Sequence, residues 1–166
     1  MYIKKLIGTQ CYLAPLNIED AEQYAVWLND MEVTENLQLI SSIIPVDGER
    51  ELLKKLAHDH NYGIIDKKTN ELIGNVGFID INHLHRTAEI GIFIGNKSYW
   101  GKGYGQEALS LLLDYAFKKL NLHNILLRVY DFNRRAVACY EKVGFKKIGE
   151  IRDGLTRNME YHNIIL

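Results

Sequence analysis

Three glycines at alternating positions, Gly101, Gly103 and Gly105, stand out in the run Tyr99-Trp100-Gly101-Lys102-Gly103-Tyr104-Gly105-Gln106-Glu107-Ala108. Glycine lets a backbone approach a ligand closely, and the free N–H groups at a helix start carry the positive end of its dipole. Such a turn can cradle an anion such as a phosphate, with Lys102 adding charge, although a turn built only for packing would have the same composition. Two familiar phosphate loops are excluded by spacing. No Ser or Thr follows Lys102 to hold magnesium, as G-x-x-x-x-G-K-[ST] requires. The third glycine comes one residue too early for G-x-G-x-x-G, and the turn lies mid-chain rather than after the first strand.

The elements around the turn must hold it. Residues 86–94 (Arg-Thr-Ala-Glu-Ile-Gly-Ile-Phe-Ile) predict a buried strand, and Ala108, Leu109, Leu112, Leu113, Ala116 and Leu120 predict an amphipathic helix. The pattern then repeats, with a strand over 124–130, a helix over 134–143 and closing strands over 145–152 and 159–166. Upstream, strands are expected over 11–16, 62–66 and 71–81, the last two joined by the hairpin loop Lys67-Lys68-Thr69-Asn70. Asn17 can cap a helix presenting Ile18, Ala21, Tyr24 and Leu28, and Asp47 can cap another with Leu52, Leu53 and Leu56. The order β-α-α-β-β-β-α-β-α-β-β predicts an α/β (α+β) fold, a mixed sheet with helices on its faces, in one domain over residues 1–166.

With both segments in view, the chain resembles the GCN5-related N-acetyltransferases. Trp100, Gly103 and Gly105 fall on that family's pyrophosphate motif Gln/Arg-x-x-Gly-x-Gly/Ala, with Trp100 departing from Gln/Arg. The form Tyr-Trp-Gly-Lys-Gly is similar to the branch holding the ribosomal-protein N-terminal acetyltransferases. A second segment, Asn133-Arg134-Arg135-Ala136-Val137-Ala138-Cys139-Tyr140-Glu141-Lys142-Val143-Gly144-Phe145, matches Asn-x-x-Ala-x-x-x-Tyr-x-x-x-Gly-Phe at every named position. The resemblance implies a sheet of about seven strands whose fourth and fifth splay apart to admit acetyl-CoA as co-substrate, with no metal. It also implies that Ile92, Phe93 and Ile94 offer main-chain bonds to pantetheine, that Trp100, Gly101, Lys102, Gly103, Tyr104 and Gly105 hold the pyrophosphate, and that Asn133 and Arg134 reach the cofactor.

The implied reaction is attack of a neutral amine on a thioester, in a ternary complex. A lysine-type amine has a pKa of about 10.4 and an α-amine one of about 7.7–8.0, so a proton must first be removed. Tyr140 is the expected donor to the leaving thiolate, a phenol of pKa about 10 facing a thiol of about 8.5; the alternative is that it packs with Ala136 and Val143. Glu89 lies mid-strand among apolar neighbours, where a carboxylate is costly unless paired or used. It could accept the amine proton, bind a cationic substrate, or pair with Arg86 or another base. Asn133 could equally cap the following helix, and Arg134 could be an exposed helix residue. His83 and His85 lack a third metal ligand and read as surface or substrate-loop residues, and neither Cys11 nor Cys139 has a His/Asp arrangement for nucleophilic catalysis.

The acceptor is less legible. Tyr-Trp-Gly-Lys-Gly points to protein N-terminal amines, Asn82-His83-Leu84-His85-Arg86-Thr87-Ala88-Glu89 resembles spermidine acetyltransferases, and the family resemblance also admits other small amines such as aminoglycosides or amino acids; a sensor that binds coenzyme A without turnover is the non-enzymatic alternative. The chain has 166 residues, 20 Lys+Arg and 21 Asp+Glu, for a net charge of −1. That balance hides a polarity: 7 basic and 13 acidic residues up to His83, 13 basic and 8 acidic from Leu84 onward. Asp30, Glu32, Glu35, Asp47, Glu49 and Glu51 could attract ammonium groups or simply be solvated helix faces, while the basic half contains the motifs that the resemblance implies hold the anionic cofactor. The near-zero total argues against nucleic acid as a partner, the lack of a run of roughly 20 apolar residues argues against a membrane span, and two unpaired cysteines suit a cytoplasmic protein. A homodimer is common among relatives.

Overall fold

The computed structural model describes residues Met1–Leu166. Six strands form the main sheet in chain order: β1 (Leu6–Ile7), β2 (Cys11–Pro15), β3 (Asn61–Asp66), β4 (Leu72–Asn82), β5 (Thr87–Ile94) and β6 (Asn124–Leu126). Every neighbouring pair is antiparallel except β5 and β6. A parallel pair needs a crossover. The helix between them supplies it, following α1 (Ala21–Leu28), α2 (Met31–Thr34) and α3 (Val46–Leu56) as α4 (Tyr104–Lys118). Beyond β6 the chain forms β7 (Val129–Tyr130), α5 (Arg134–Val143), β8 (Glu150–Arg157) and β9 (Glu160–Ile165), and the last three strands make a second sheet in the order β7-β9-β8.

β2 shows why helices lie on both faces. Side chains of a strand alternate between faces, yet Cys11, Tyr12, Leu13 and Ala14 are all buried. Cys11 and Leu13 join a core with Ala108, Leu109, Leu112 and Ala116 of α4, the apolar stripe read from the sequence. Tyr12 and Ala14 join a second core with Tyr24 and Trp27 of α1, Val33 of α2 and Leu53 of α3. No helix is long and apolar enough to cross a membrane.

Several expected boundaries move, each for a local reason. The single strand expected over 124–130 breaks after Leu126, so that one piece stays with β5 while the other joins β9. This divides the anticipated sheet of about seven strands into sheets of six and three. The strand expected from Phe145 starts only at Glu150, because the Phe145 amide is used in closing α5, donating to Tyr140 O (3.0 Å) beside the left-handed Gly144. Asp47 is not a cap: α3 starts after Pro45, and Asp47 lies in its first turn, paired with Arg50 (2.7 Å). Asn17 does cap, its Oδ1 accepting from the Glu19 amide at 3.2 Å, but the turn it caps is a short 3-10 segment leading into α1.

Two carboxylates tie the sheet to the glycine turn. Glu107, in the first turn of α4, reaches back to accept from the amides of Thr9 (2.7 Å), Gln10 (3.0 Å) and Cys11 (2.8 Å). Gly8 allows this approach, since a Cβ there would lie 2.7 Å from the Glu107 carboxyl carbon. The buried Asp66 accepts from Tyr104 Oη (2.7 Å) and from the Thr69 amide (2.8 Å) and hydroxyl (2.9 Å). Burial pushes both carboxyls up, but these donors outweigh it and hold both below the ordinary range. Groups lowered in this way stabilise the fold above their unfolded pKa, and that stabilisation disappears as pH falls through the folded-state values. Stability in urea should therefore be level near neutrality and fall below about pH 4. Glu107→Gln should cost about 1–3 kcal/mol at pH 7 and flatten the acid decline, whereas an unchanged decline would remove Glu107 from this role.

Candidate functional site

β5 and β6 part company after three residue pairs, Thr87–Asn124, Ala88–Ile125 and Glu89–Leu126. Hydrogen-bonding groups alternate between the two edges of a strand. The Gly95 amide donates to Ile73 O at 2.9 Å, which sets Gly91 and Phe93 toward β4. The amides and carbonyls of Ile90, Ile92 and Ile94 therefore turn to the opposite edge, where pairing with β6 ends at Glu89–Leu126 and leaves Ile92 and Ile94 without a strand partner. Unpaired backbone groups inside a fold are costly, so such an edge calls for a partner that is itself strand-like. Of the three residues expected to offer main-chain bonds, Ile92 and Ile94 face this gap. Phe93 is a correction: its backbone pairs with Asn75 of β4, and its ring packs edge-on against Tyr24 and Trp27, at 6.1 and 6.2 Å between centroids.

The apex of the fork is held by charge. Glu89 Oε1 lies 3.1 Å from Nε of Arg128, in the break between β6 and β7. Arg86, the partner suggested by proximity in sequence, instead donates to the carbonyl (2.7 Å) and side chain (2.9 Å) of Asn121.

At the other end of β5 lies the glycine turn. Gly101 and Gly103 adopt φ of +70° and +86°, a left-handed conformation that favours glycine. Gly103 caps α4 without any side-chain acceptor, so the first amides of the helix are left free for an anion. No atom lies within 4 Å of a Cβ built on Gly101, so the cradle is open on that side. Lys102 is exposed, whereas the Tyr104 side chain is committed to Asp66 and leaves only its backbone to the turn.

Trp100 explains its own departure from Gln/Arg. Its indole Nε1 donates to Ile94 O at 2.7 Å, covering one of the free carbonyls of β5, and the Arg135 guanidinium stacks on its ring at 4.0 Å. Trp100 thus joins the end of β5 to the start of α5. Asn133 caps α5, its Oδ1 accepting from the Ala136 amide at 3.2 Å, which leaves its amide nitrogen free. Trp100, Asn133, Arg134 and Arg135 line a cleft of about 530 Å³ together with Met31, Glu32, Glu35, Asn36 and Phe132.

Tyr140 lies two turns along α5 and lines a different space, an apolar cavity of about 400 Å³ shared with Leu113, Leu127 and Val129. Burial there, reinforced by neighbouring Cys139, pushes the phenol up to about 12. Tyr140 is therefore a neutral proton carrier at any working pH.

The acidic cluster is divided. Glu32 and Glu35 line the cleft, and Lys97 draws Asp30 and Glu32 together at 2.7 Å each. Asp47 and Glu51 make ion pairs along α3, and Glu49 is buried on it. His83 and His85 are exposed in the β4–β5 turn, and no three His, Cys, Asp or Glu side chains gather as metal ligands. Arg128, Arg135 and Phe132 went unnoticed because nothing local in sequence marks them; their partners, Glu89, Trp100 and the cleft, are contacts made only by folding.

Comparison with known proteins agrees with this geometry. Residues 10–146 match the family model described as acetyltransferase (GNAT) domain. The chain is 32% identical to the N-acetyltransferase p20 of Bacillus licheniformis over 147 residues, covering 85% of this chain and 82% of that protein. It is 36% identical to spermidine N(1)-acetyltransferase of Vibrio cholerae over 120 residues, covering 71% and 69%. Among solved structures, the spermidine N-acetyltransferase of Vibrio cholerae in complex with CoA and spermine superposes with a TM-score of 0.84 at 30% identity, covering 95% of this chain and 94% of that one. Trp100→Phe would keep an aromatic surface for Arg135 but free the Ile94 carbonyl. The variant should lose about 1–2 kcal/mol of stability in urea denaturation, and an unchanged midpoint would mean that the indole N–H contributes nothing.

Proposed function

The chain belongs to the GNAT acetyltransferase family and is an acetyl-CoA-dependent N-acetyltransferase; from that premise we propose that its acceptor is a small polyamine of the spermidine class. The observation that carries this reading is the acidic wall of the cleft. Glu35 lines it without an ion-pair partner and Glu32 also lines it, in the same cleft as the residues that match the family's cofactor motifs. A flexible chain bearing several ammonium groups suits such a wall. Relatives named spermidine acetyltransferases support the same choice. A protein N-terminal amine is the second reading, favoured by the Tyr-Trp-Gly-Lys-Gly form of the turn. The two free thiols, Cys11 and Cys139, support a cytoplasmic place of work.

Acetyl-CoA supplies a thioester and an anionic pyrophosphate. The uncapped amides of α4 after Gly103 bind the phosphates, aided by Lys102 and Arg134, while the Asn133 amide donates nearby. Ile92 and Ile94 take the amide groups of the pantetheine arm along the free edge of β5, completing the sheet. An amide on that edge is positioned to stabilise charge on the carbonyl oxygen during attack. Glu89, at the apex of the fork beside Arg128, receives the proton lost by the amine, by way of water. Tyr140, held neutral by burial, donates to the departing sulfur.

Incubating the protein with acetyl-CoA and spermidine, spermine, an aminoglycoside and short peptides, with mass-spectrometric detection, separates the readings. Acetylated polyamine is the expected product. Acetylation of peptides alone would replace this reading with the N-terminal one, and tight CoA binding without turnover of any amine would make the protein a sensor. Tyr140→Phe should lower kcat at least about tenfold while leaving acetyl-CoA affinity within about twofold, whereas wild-type kcat would exclude Tyr140 as the donor.

A further inference from the structure

Arg157 is the last residue of β8 and faces Glu160 across a turn in which Asn158 and Met159 both have positive φ, 53° and 64°. Two such residues make the tight primed turn that matches the twist of a hairpin. A register shift between Ile151 and Leu155 re-aims the strand just before it, with the Asp153 amide donating to Asn163 Oδ1 at 3.0 Å. This hairpin delivers the guanidinium to a distant place. Nη2 donates to the carbonyl of Leu37, 120 residues earlier, at 3.0 Å, and the group lies 5.6 Å from the centre of the Tyr130 ring. Nε is buried with no partner.

Leu37 belongs to the connection between α2 and α3, residues 35–45, which begins with the cleft residues Glu35 and Asn36. Its far end is held by Asn29, whose side chain donates to Ile44 O (2.8 Å) and accepts from the Ile44 amide (3.1 Å). The near end is held to the rest of the molecule by Arg157. A buried N–H without a partner costs free energy, which an arginine kept only for folding would gain nothing by bearing.

We propose that Arg157 is a positioning residue for the acceptor: by fixing Leu37 it sets where Glu35 and Asn36 stand, and so which amines the cleft accepts. The inference rests on the reading that this cleft receives the acceptor. Arg157 touches neither the glycine turn nor the free edge of β5, so its effect should fall on the acceptor alone.

The test is steady-state kinetics of Arg157→Ala, Arg157→Lys and Glu35→Gln with acetyl-CoA and the best amine of the panel, alongside thermal melts. Arg157→Ala should raise the acceptor KM about tenfold, with the acetyl-CoA KM within about twofold and kcat within about threefold. Arg157→Lys can still donate to Leu37 O and should recover most of the loss, which also covers the case in which the alanine variant folds poorly. Glu35→Gln should raise the acceptor KM by itself. If Glu35→Gln raises it while neither Arg157 variant does, the positioning role is wrong and the cleft stands. Should no variant move it, the cleft is not the acceptor site. Equal rises in both KM values with a lowered melting point would make Arg157 structural only.

Discussion

The separation of β5 from β6 after Glu89 is the constraint on which the rest of the structure depends. A parallel pair that continued would bury the amides and carbonyls of Ile92 and Ile94 in a closed ladder and leave no room for a second substrate. Because the pair stops, one strand in the middle of a well-packed domain carries an unfinished edge. The neighbouring elements keep that edge open without letting it collapse or recruit the wrong partner. Glu89 and Arg128 clasp the apex, the break at residues 127–128 diverts the chain into the second sheet, and Trp100 covers the last carbonyl at the mouth.

The two cores give the fork its stiffness. The α4 core anchors one side of β5 through Ile90, with Ile92 packed against it, while Phe93 is locked into the α1 core with Tyr24 and Trp27. Gly95 lets Trp27 lie directly on the backbone at the strand's end, where a Cβ would come within 2.1 Å of the ring. The strand is thus fixed on both faces and along one edge, which leaves the remaining edge as its single adaptable feature. Preorganisation of this kind spares a ligand the cost of ordering its own site.

The sequence revealed the fold through patterns that are local: the apolar stripe of α4, the glycine turn, the Asn133 cap and the continuous apolar run of β2. The same locality explains what it concealed. A continuous β-rich run over 124–130 gives no sign that its first half pairs with β5 and its second with β9, because the break is decided by what lies opposite. Phe93 looked equivalent to Ile92 and Ile94, but which residues face the gap depends on the register with β4. Glu89 was recognisable as a carboxylate in need of a partner, although its cation, Arg128, is 39 residues away. Trp100 departs from the motif's Gln/Arg, and its bond to the Ile94 carbonyl is a contact that only folding reveals.

Residue-resolved amide exchange with and without coenzyme A tests the unfinished edge most directly. In the free protein the amides of Ile92 and Ile94 should exchange quickly while that of Phe93, bonded to β4, is protected; coenzyme A should then protect Ile92 and Ile94 and leave Phe93 unchanged. Protection of Ile92 and Ile94 in the free protein, or no change when coenzyme A binds, would contradict the account.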